Sequence, residues 1–462
     1  MLQTTRKWIK AMATAAALAV VMSFLAEIGG MGAQNNSQEC QTLADTVASL
    51  ESRISSFQER LRGASPAGKA DLLRTIKNLQ CQLGAKKNDL RCCRQRNGLR
   101  TEPPAAPTRV WESDLKFKMD WAASTADTKL QKVERLLRAF NNRLSDATDG
   151  QWIVGRFLIQ DANSTLEEEG NGVGHIHEVK AHRSPNHGHA DGRPDNPEHF
   201  HMTMGNRLDN TDESARTFAG TMLMEFLHSW TGARDEYEVT SGGGRTRCPL
   251  NASPDYPNAC VMWKTNDSSV NELCRPENHN PNTEQGNSRG MDCYSWIAKV
   301  MRDAGHCGFI VPCNYVAGPA SAPTLRFVYL TITRVRQIDR PGGEALGDFY
   351  ARASMDGVRL ARTRFHANDS DFSPNWLFGF AYASNQARSI PITIEIWDAV
   401  TNAPDQSCDV NPRRNKRELS VVYDPRTGAI SGDAEGTSGR SISVTGGGDA
   451  NRVAIDFVVT SR

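Results

Sequence analysis

Two runs of apolar residues, spaced alternately four and three apart, constrain this chain most. The first is Leu43, Val47, Leu50, Ile54, Phe57 and Leu61. The segment RGASPAG interrupts it at Gly63, Pro66 and Gly68, and the spacing resumes with Leu72, Ile76, Leu79, Leu83 and Leu90. Such spacing draws an a/d seam along one side of a helix. Two seams separated by a turn predict an antiparallel helical hairpin over residues 38–98. Folding about Pro66 places Cys40 opposite Cys92, where a disulfide would staple the open end. The same seams could pair between chains, so coiled-coil self-association is the alternative. The hairpin brings no chemistry, only a spacer or oligomerisation element.

The pattern then changes twice. TEPPAAPT, residues 101–108, is a Pro-rich linker. Residues 109–315 follow, with a helical pattern at Leu130, Val133, Leu137, Phe140 and Leu144, then a turn and the apolar run QWIVGRFLIQ. A His-rich stretch, a strand around HFHMTMG and a helix through Glu225 complete an α/β or α+β unit. A second linker, AGPASAPT, precedes residues 325–462, where short β-rich runs alternate with turn residues as in an antiparallel β-sandwich. The expected fold class is therefore multidomain: helical hairpin, α/β unit, all-β sandwich. At roughly 100–200 residues per domain, 462 residues accommodate this.

Arg6, Lys7 and Lys10 precede an apolar run from Ala11 to Ala26, and small residues continue to Ala33. This reads as a secretory signal over residues 1–33. The run is shorter than the ~20 residues of a spanning helix, which favours cleavage over a retained anchor, and no other segment could span a bilayer. The expected location is secreted, periplasmic or cell envelope. The 11 cysteines then read as disulfide formers with one left over. The absence of any C-x-x-C pair argues against a zinc ribbon. A net charge of +1 provides no global field for nucleic acid.

The chemistry concentrates in TMLMEFLHSWTGARDEYE, residues 221–238. Two histidines at i and i+4 on one helix can bind one zinc, with a glutamate beside the first activating a zinc-bound water. A glycine lets the chain turn back with a third ligand. Here the parts are Glu225 as general base, His228 as ligand, Gly232 as turn, and Asp235 or alternatively Glu236 as third ligand. Met224 stands where the first histidine belongs. Phe218, Met222, Phe226 and Trp230 also recur at helical spacing, so one face of this helix reads simply as core.

By these motifs the region resembles the metzincin-like metallopeptidase domain of the calcium-activated chloride channel regulators and their bacterial relatives, whose pattern is H-E-F-x-H-x-x-x-G-x-x-D-E-Y. Every diagnostic position matches except Met224. ACVMW resembles that family's Met-turn, which implies Met262 beneath the metal. SSVNELC, HNPNTEQ and TDGQWIVGRFLIQD also resemble it, so the resemblance covers residues 109–315. It implies peptide-bond hydrolysis at zinc and a protein or peptide substrate. A thioether is a soft, weak donor for zinc, so the expected function is a degenerate metallopeptidase, impaired or inactive. The alternatives are an active zinc endopeptidase with non-standard ligation and a non-enzymatic structural or adhesive envelope protein. His175, His177, His182, His187, His189, His199 and His201 are the candidates to replace the missing ligand. The His-rich stretch could instead be a separate surface metal site or a polar loop.

In the sandwich, Asp339, Asp348, Asp398, Asp405 and Asp409 lie in loops. Clustered loop carboxylates can hold calcium, in an arrangement loosely resembling C2-like domains; solvated loop aspartates are the alternative. The basic run NPRRNKR beside them is compatible with an anionic surface.

Overall fold

A computed structural model describes residues 38–96, 111–119, 121–165, 173–178, 186–190, 200–204, 212–234, 237–239, 245–247, 260, 262, 273–275, 279, 283–304, 309, 322–339, 347–385, 387–400 and 403–462. The signal segment lies outside them. Among the described residues no helix is long and apolar enough to cross a membrane. The chain divides into two units.

The first unit contains helix α1 (residues 38–62) and helix α2 (Pro66–Arg96). They share apolar clusters, one around Leu50, Ile54, Ile76 and Leu79 and another around Val47 and Leu90. Lys87 reaches Glu51 across the pair at 2.7 Å. The ends are linked by Cys40–Cys93, not by Cys92. The seam explains this correction: Cys93 lies three residues beyond Leu90 and is fully buried, whereas Cys92 falls off the seam and is half-buried. Cys81 and Cys92 are also disulfide-bonded, to partners outside the described residues.

The second unit begins with a strand the sequence reading did not anticipate, β1 (Trp111–Met119). It continues with α3 (Thr128–Ala147), β2 (Trp152–Gln160), β3 (Val173–Glu178), β4 (Asn186–Ala190), β5 (Phe200–Met204) and α4 (Asp212–Thr231). Asp127 caps α3 by accepting the Lys129 N–H at 2.8 Å. The parallel β1–β2 pair is joined through α3 in a βαβ crossover. β3 and β5 extend the sheet in parallel, and β4 closes the edge antiparallel. After the short pair β6 (Tyr237–Val239) and β7 (Arg245–Arg247) come α5 (Glu284–Arg289) and α6 (Cys293–Asp303), whose last turns belong to the first unit.

The β-rich remainder comprises β8 (Leu325–Gln337), β9 (Phe349–Met355), β10 (Val358–Arg359), β11 (Asp371–Phe372), β12 (Trp376–Ala383), β13 (Ile390–Asp398), β14 (Gln406–Ser407), β15 (Leu419–Asp424), β16 (Ala429–Gly432), β17 (Gly436–Thr437), β18 (Ile442–Thr445) and β19 (Val453–Ser461). It is a β-sandwich. One layer is β10-β9-β13-β15-β16-β17, with β14 paired to β13. The other layer does not stop at the sandwich. Its order is β18-β19-β8-β12-β2-β1-β3-β5-β4, with β12 antiparallel to β2. One sheet therefore runs through both the α/β part and the sandwich.

β2 is accordingly buried on both faces. Leu158 joins the inter-layer core with Val328, Leu330, Ile394 and Phe378. Phe157 meets Phe140 of α3, and Trp152 meets Phe226 of α4 at 5.1 Å between ring centroids. Gln160 clasps Ala361 in both directions, donating at 2.7 Å and accepting at 3.0 Å.

Candidate functional site

α4 lies behind this sheet. Phe218, Met222 and Phe226 recur every four residues and are buried, so one helix face is core, as the spacing predicts. Phe226 and Trp230 pack into an aromatic cluster with Trp111, Trp152 and Phe140. Met224 and His228, one turn apart, are both half-buried, and Glu225 beside them is buried. The two ligand positions thus share the helix stripe that reaches solvent.

The His228 Nδ1–H donates to the Ala233 carbonyl at 2.6 Å. That fixes the tautomer with the lone pair on Nε2, as a metal-binding imidazole requires. Gly232 makes the sharp turn: its φ is +62°, and its N–H closes back on the His228 carbonyl at 3.0 Å. The carbonyls freed at the helix end are taken up by later elements. Trp296 Nε1–H donates to Thr231 O at 2.8 Å, and Arg289 to Gly232 O at 2.9 Å. Gln285 Oε1 accepts the Arg234 N–H at 2.6 Å. Met262 is buried. Asp235 and Glu236 lie outside the described residues.

Sheet register locates the candidate replacement histidines. Trp111 contacts Trp230, so Trp111, Ser113, Leu115, Phe117 and Met119 form the face of β1 toward the helices. In β3, Gly174 and Ile176 pair with Phe117 and Met119. His175 pairs with Lys118, whose ammonium reaches Ser164 O. His201 and His189 complete the His175 row across β5 and β4, and His177 and His187 flank Thr203 two residues on. His182 and His199 lie outside the described residues.

The sandwich aspartates are engaged by the fold, Asp348 and Asp398 with each other and the rest with other groups. Asp339 accepts two bonds from Arg452, which hold its carboxyl below the usual carboxylate range. Asp398 accepts the Asp348 N–H at 2.7 Å, and Asp348 accepts the Asn368 N–H at 2.9 Å. Asp405 accepts from Tyr350 Oη at 2.7 Å, and Asp409, buried, from the Gly448 and Asn411 N–H groups. Calcium needs six to eight oxygens around one point. Among the described residues, no three of these carboxylates bring their oxygens within 4.8 Å of one another. NPRRNKR is built into the fold: Arg413 and Lys416 pair with the buried Asp433.

The convergence that does occur was missed. Cys260, Cys274 and Cys293 place their Sγ atoms within 4.8 Å of one another, all buried. His279 Nδ1 lies 3.6 Å from Cys274 Sγ. The neighbours of these cysteines anchor them. Arg275, fully buried, donates to both Asp149 oxygens at 2.9 Å and stacks on Tyr294, whose hydroxyl accepts from Gln151 at 2.8 Å. Asp292 caps α6 by accepting the Ser295 N–H at 2.8 Å. The sequence offered only the residue types, since the thiols are 14 and 19 positions apart.

No family model and no curated protein matches the chain. Among solved structures, it is similar to human GIVD cytosolic phospholipase A2, at 17% identity and a TM-score of 0.20, over 30% of this chain and 18% of that one. It is also similar to a C2 domain, at 14% identity over 29% of this chain and 97% of that one, TM-score 0.19. A C2 domain protein from Ramazzottius varieornatus matches at 9% identity over 30% of this chain and 90% of that one, TM-score 0.19. The chain spans less than a fifth of the phospholipase chain it is similar to.

Proposed function

We propose that this is an exported, metallopeptidase-derived protein whose helix site has lost its hold on zinc and with it peptide hydrolysis. The observation that carries this reading is the pairing of Met224 and His228 on one solvent-reaching stripe of α4, with Glu225 beside them. The arrangement keeps the base, one imidazole in the ligating tautomer and the glycine turn, and replaces one imidazole by a thioether. Structural zinc sites bind with about 10–16 kcal/mol, so removing one strong donor costs several kcal/mol of affinity. The disulfides at Cys40, Cys81, Cys92 and Cys93 support an oxidising compartment.

Were zinc held at this site, His228 with Asp235 or Glu236 would bind it, and the metal would acidify a water and polarise a carbonyl. Glu225 would then hold the proton, and Gly232 would set the return of the chain. The test is peptide hydrolysis by the wild type and by Met224→His. The wild type is expected to show no zinc-dependent cleavage, and Met224→His to gain it. Wild-type cleavage abolished by Glu225→Gln would establish an active enzyme with unusual ligation instead.

A further inference from the structure

We propose that Cys260, Cys274 and Cys293 form a structural zinc site, separate from the α4 helix site, with His279 beside Cys274 as the neighbouring imidazole. A tetrahedral zinc with Zn–S near 2.3 Å and Zn–N near 2.05 Å has S···N edges of about 3.6 Å and S···S edges of about 3.8 Å. The Cys274 Sγ to His279 Nδ1 distance is 3.6 Å, and the three sulfurs lie within 4.8 Å of each other. Three soft sulfur donors select zinc over calcium or magnesium. All three thiols are buried, away from bulk water.

The surroundings are arranged for thiolates. The Cys274 N–H donates to Cys260 Sγ and the Cys293 N–H to Cys274 Sγ, both at 3.3 Å. Such bonds favour the charged sulfur and fix its direction. Cys293 is the first residue of α6, where the helix dipole favours negative charge. The Tyr294 N–H donates to Cys274 O at 3.1 Å, which ties the second and third cysteines through backbone as well. A turn closed by His279 N–H to Arg275 O at 2.9 Å brings the imidazole back to Cys274. Binding releases the three thiol protons, so affinity falls as pH falls. In an oxidising compartment, three adjacent thiols would otherwise form one disulfide and strand the third; a shared metal keeps all three reduced.

The site has a mechanical role. Gln285, Arg289 and Trp296, which close the end of α4, lie immediately around His279 and Cys293 in sequence. The metal would lock that segment, and so hold the end of the helix through a site that performs no hydrolysis.

The experiment is native mass spectrometry of the full, exported chain with zinc supplied, alongside cobalt substitution and thiol mapping. One zinc per chain is expected, retained in His228→Ala and lost in Cys293→Ser and Cys274→Ser. The cobalt form should show intense thiolate-to-metal charge transfer. Should the variants fail to fold, chelation of the wild type replaces them: it should lower the melting temperature and make Cys260, Cys274 and Cys293 alkylatable. A disulfide between any two of the three, or a metal-free native chain, would overturn the proposal. So would zinc that His228→Ala removes and Cys293→Ser spares, an outcome that bears on the helix site instead.

Discussion

In the proposed reading, Met224 puts a thioether sulfur where an imidazole nitrogen would bind zinc, one turn from His228 and beside Glu225. The exchange was legible in the sequence, because spacing on a helix fixes which residues share a stripe. Cys93 was legible too, had the four-three spacing been carried past Leu90. The cysteine cluster was not: its members are brought together by a loop and a helix start rather than by a short repeat. Another residue invisible to sequence patterning is Asp161, after β2. Its carboxyl accepts the Ala123 and Asn163 N–H groups, yet burial pushes its pKa up to about 6. A raised carboxyl pKa means that the folded state keeps a proton the unfolded chain has released. The penalty is absent below pH 3.8 and complete above about 6, so stability falls as pH rises through that window. The shift corresponds to about 3 kcal/mol. Denaturant titrations should show Asp161→Asn gaining up to about that amount on the wild type between pH 4 and 7. Parallel curves for the two proteins would contradict the assignment.

At the scale of elements, α4 is a helix with two claims on it. One face is core, which hydrophobic spacing predicts; the adjacent stripe holds Met224 and His228. Its end depends on a left-handed glycine, and Gly232→Ala should cost about 1–2 kcal/mol in chemical denaturation. An unchanged midpoint would mean the turn is not strained. The strands near it were harder to read. WESDLKFKM alternates charge with apolar residues and carried a strand signal that went unused. Which residues pair across this sheet could not be known in advance. It follows from the register of β1 against β2 and β3, including the irregularity opposite Gly155, and register is a property of pairs of strands. The aspartate loops show the same limit. Composition put carboxylates there, but each one's partner is a backbone N–H, a tyrosine or an arginine set by the folded loops.

At the scale of the molecule, the sequence divides at AGPASAPT, and the structure runs a sheet across that division through β2 and β12. Removing residues 322–462 would leave the edge of β2 unpaired and Leu158 without its core. The shortened protein is expected to lack a cooperative melting transition by calorimetry. A sharp transition at the full-length temperature would contradict a shared sheet. Continuity also implies that the sandwich and the α/β part move as parts of one sheet, whatever the protein binds. The central claim is that the helix site no longer holds zinc. The direct measurement is zinc per chain in the wild type, His228→Ala and Met224→His, by native mass spectrometry. Equal zinc in wild type and His228→Ala, with one further ion in Met224→His, is the predicted result. Zinc in the wild type that disappears with His228→Ala would contradict it.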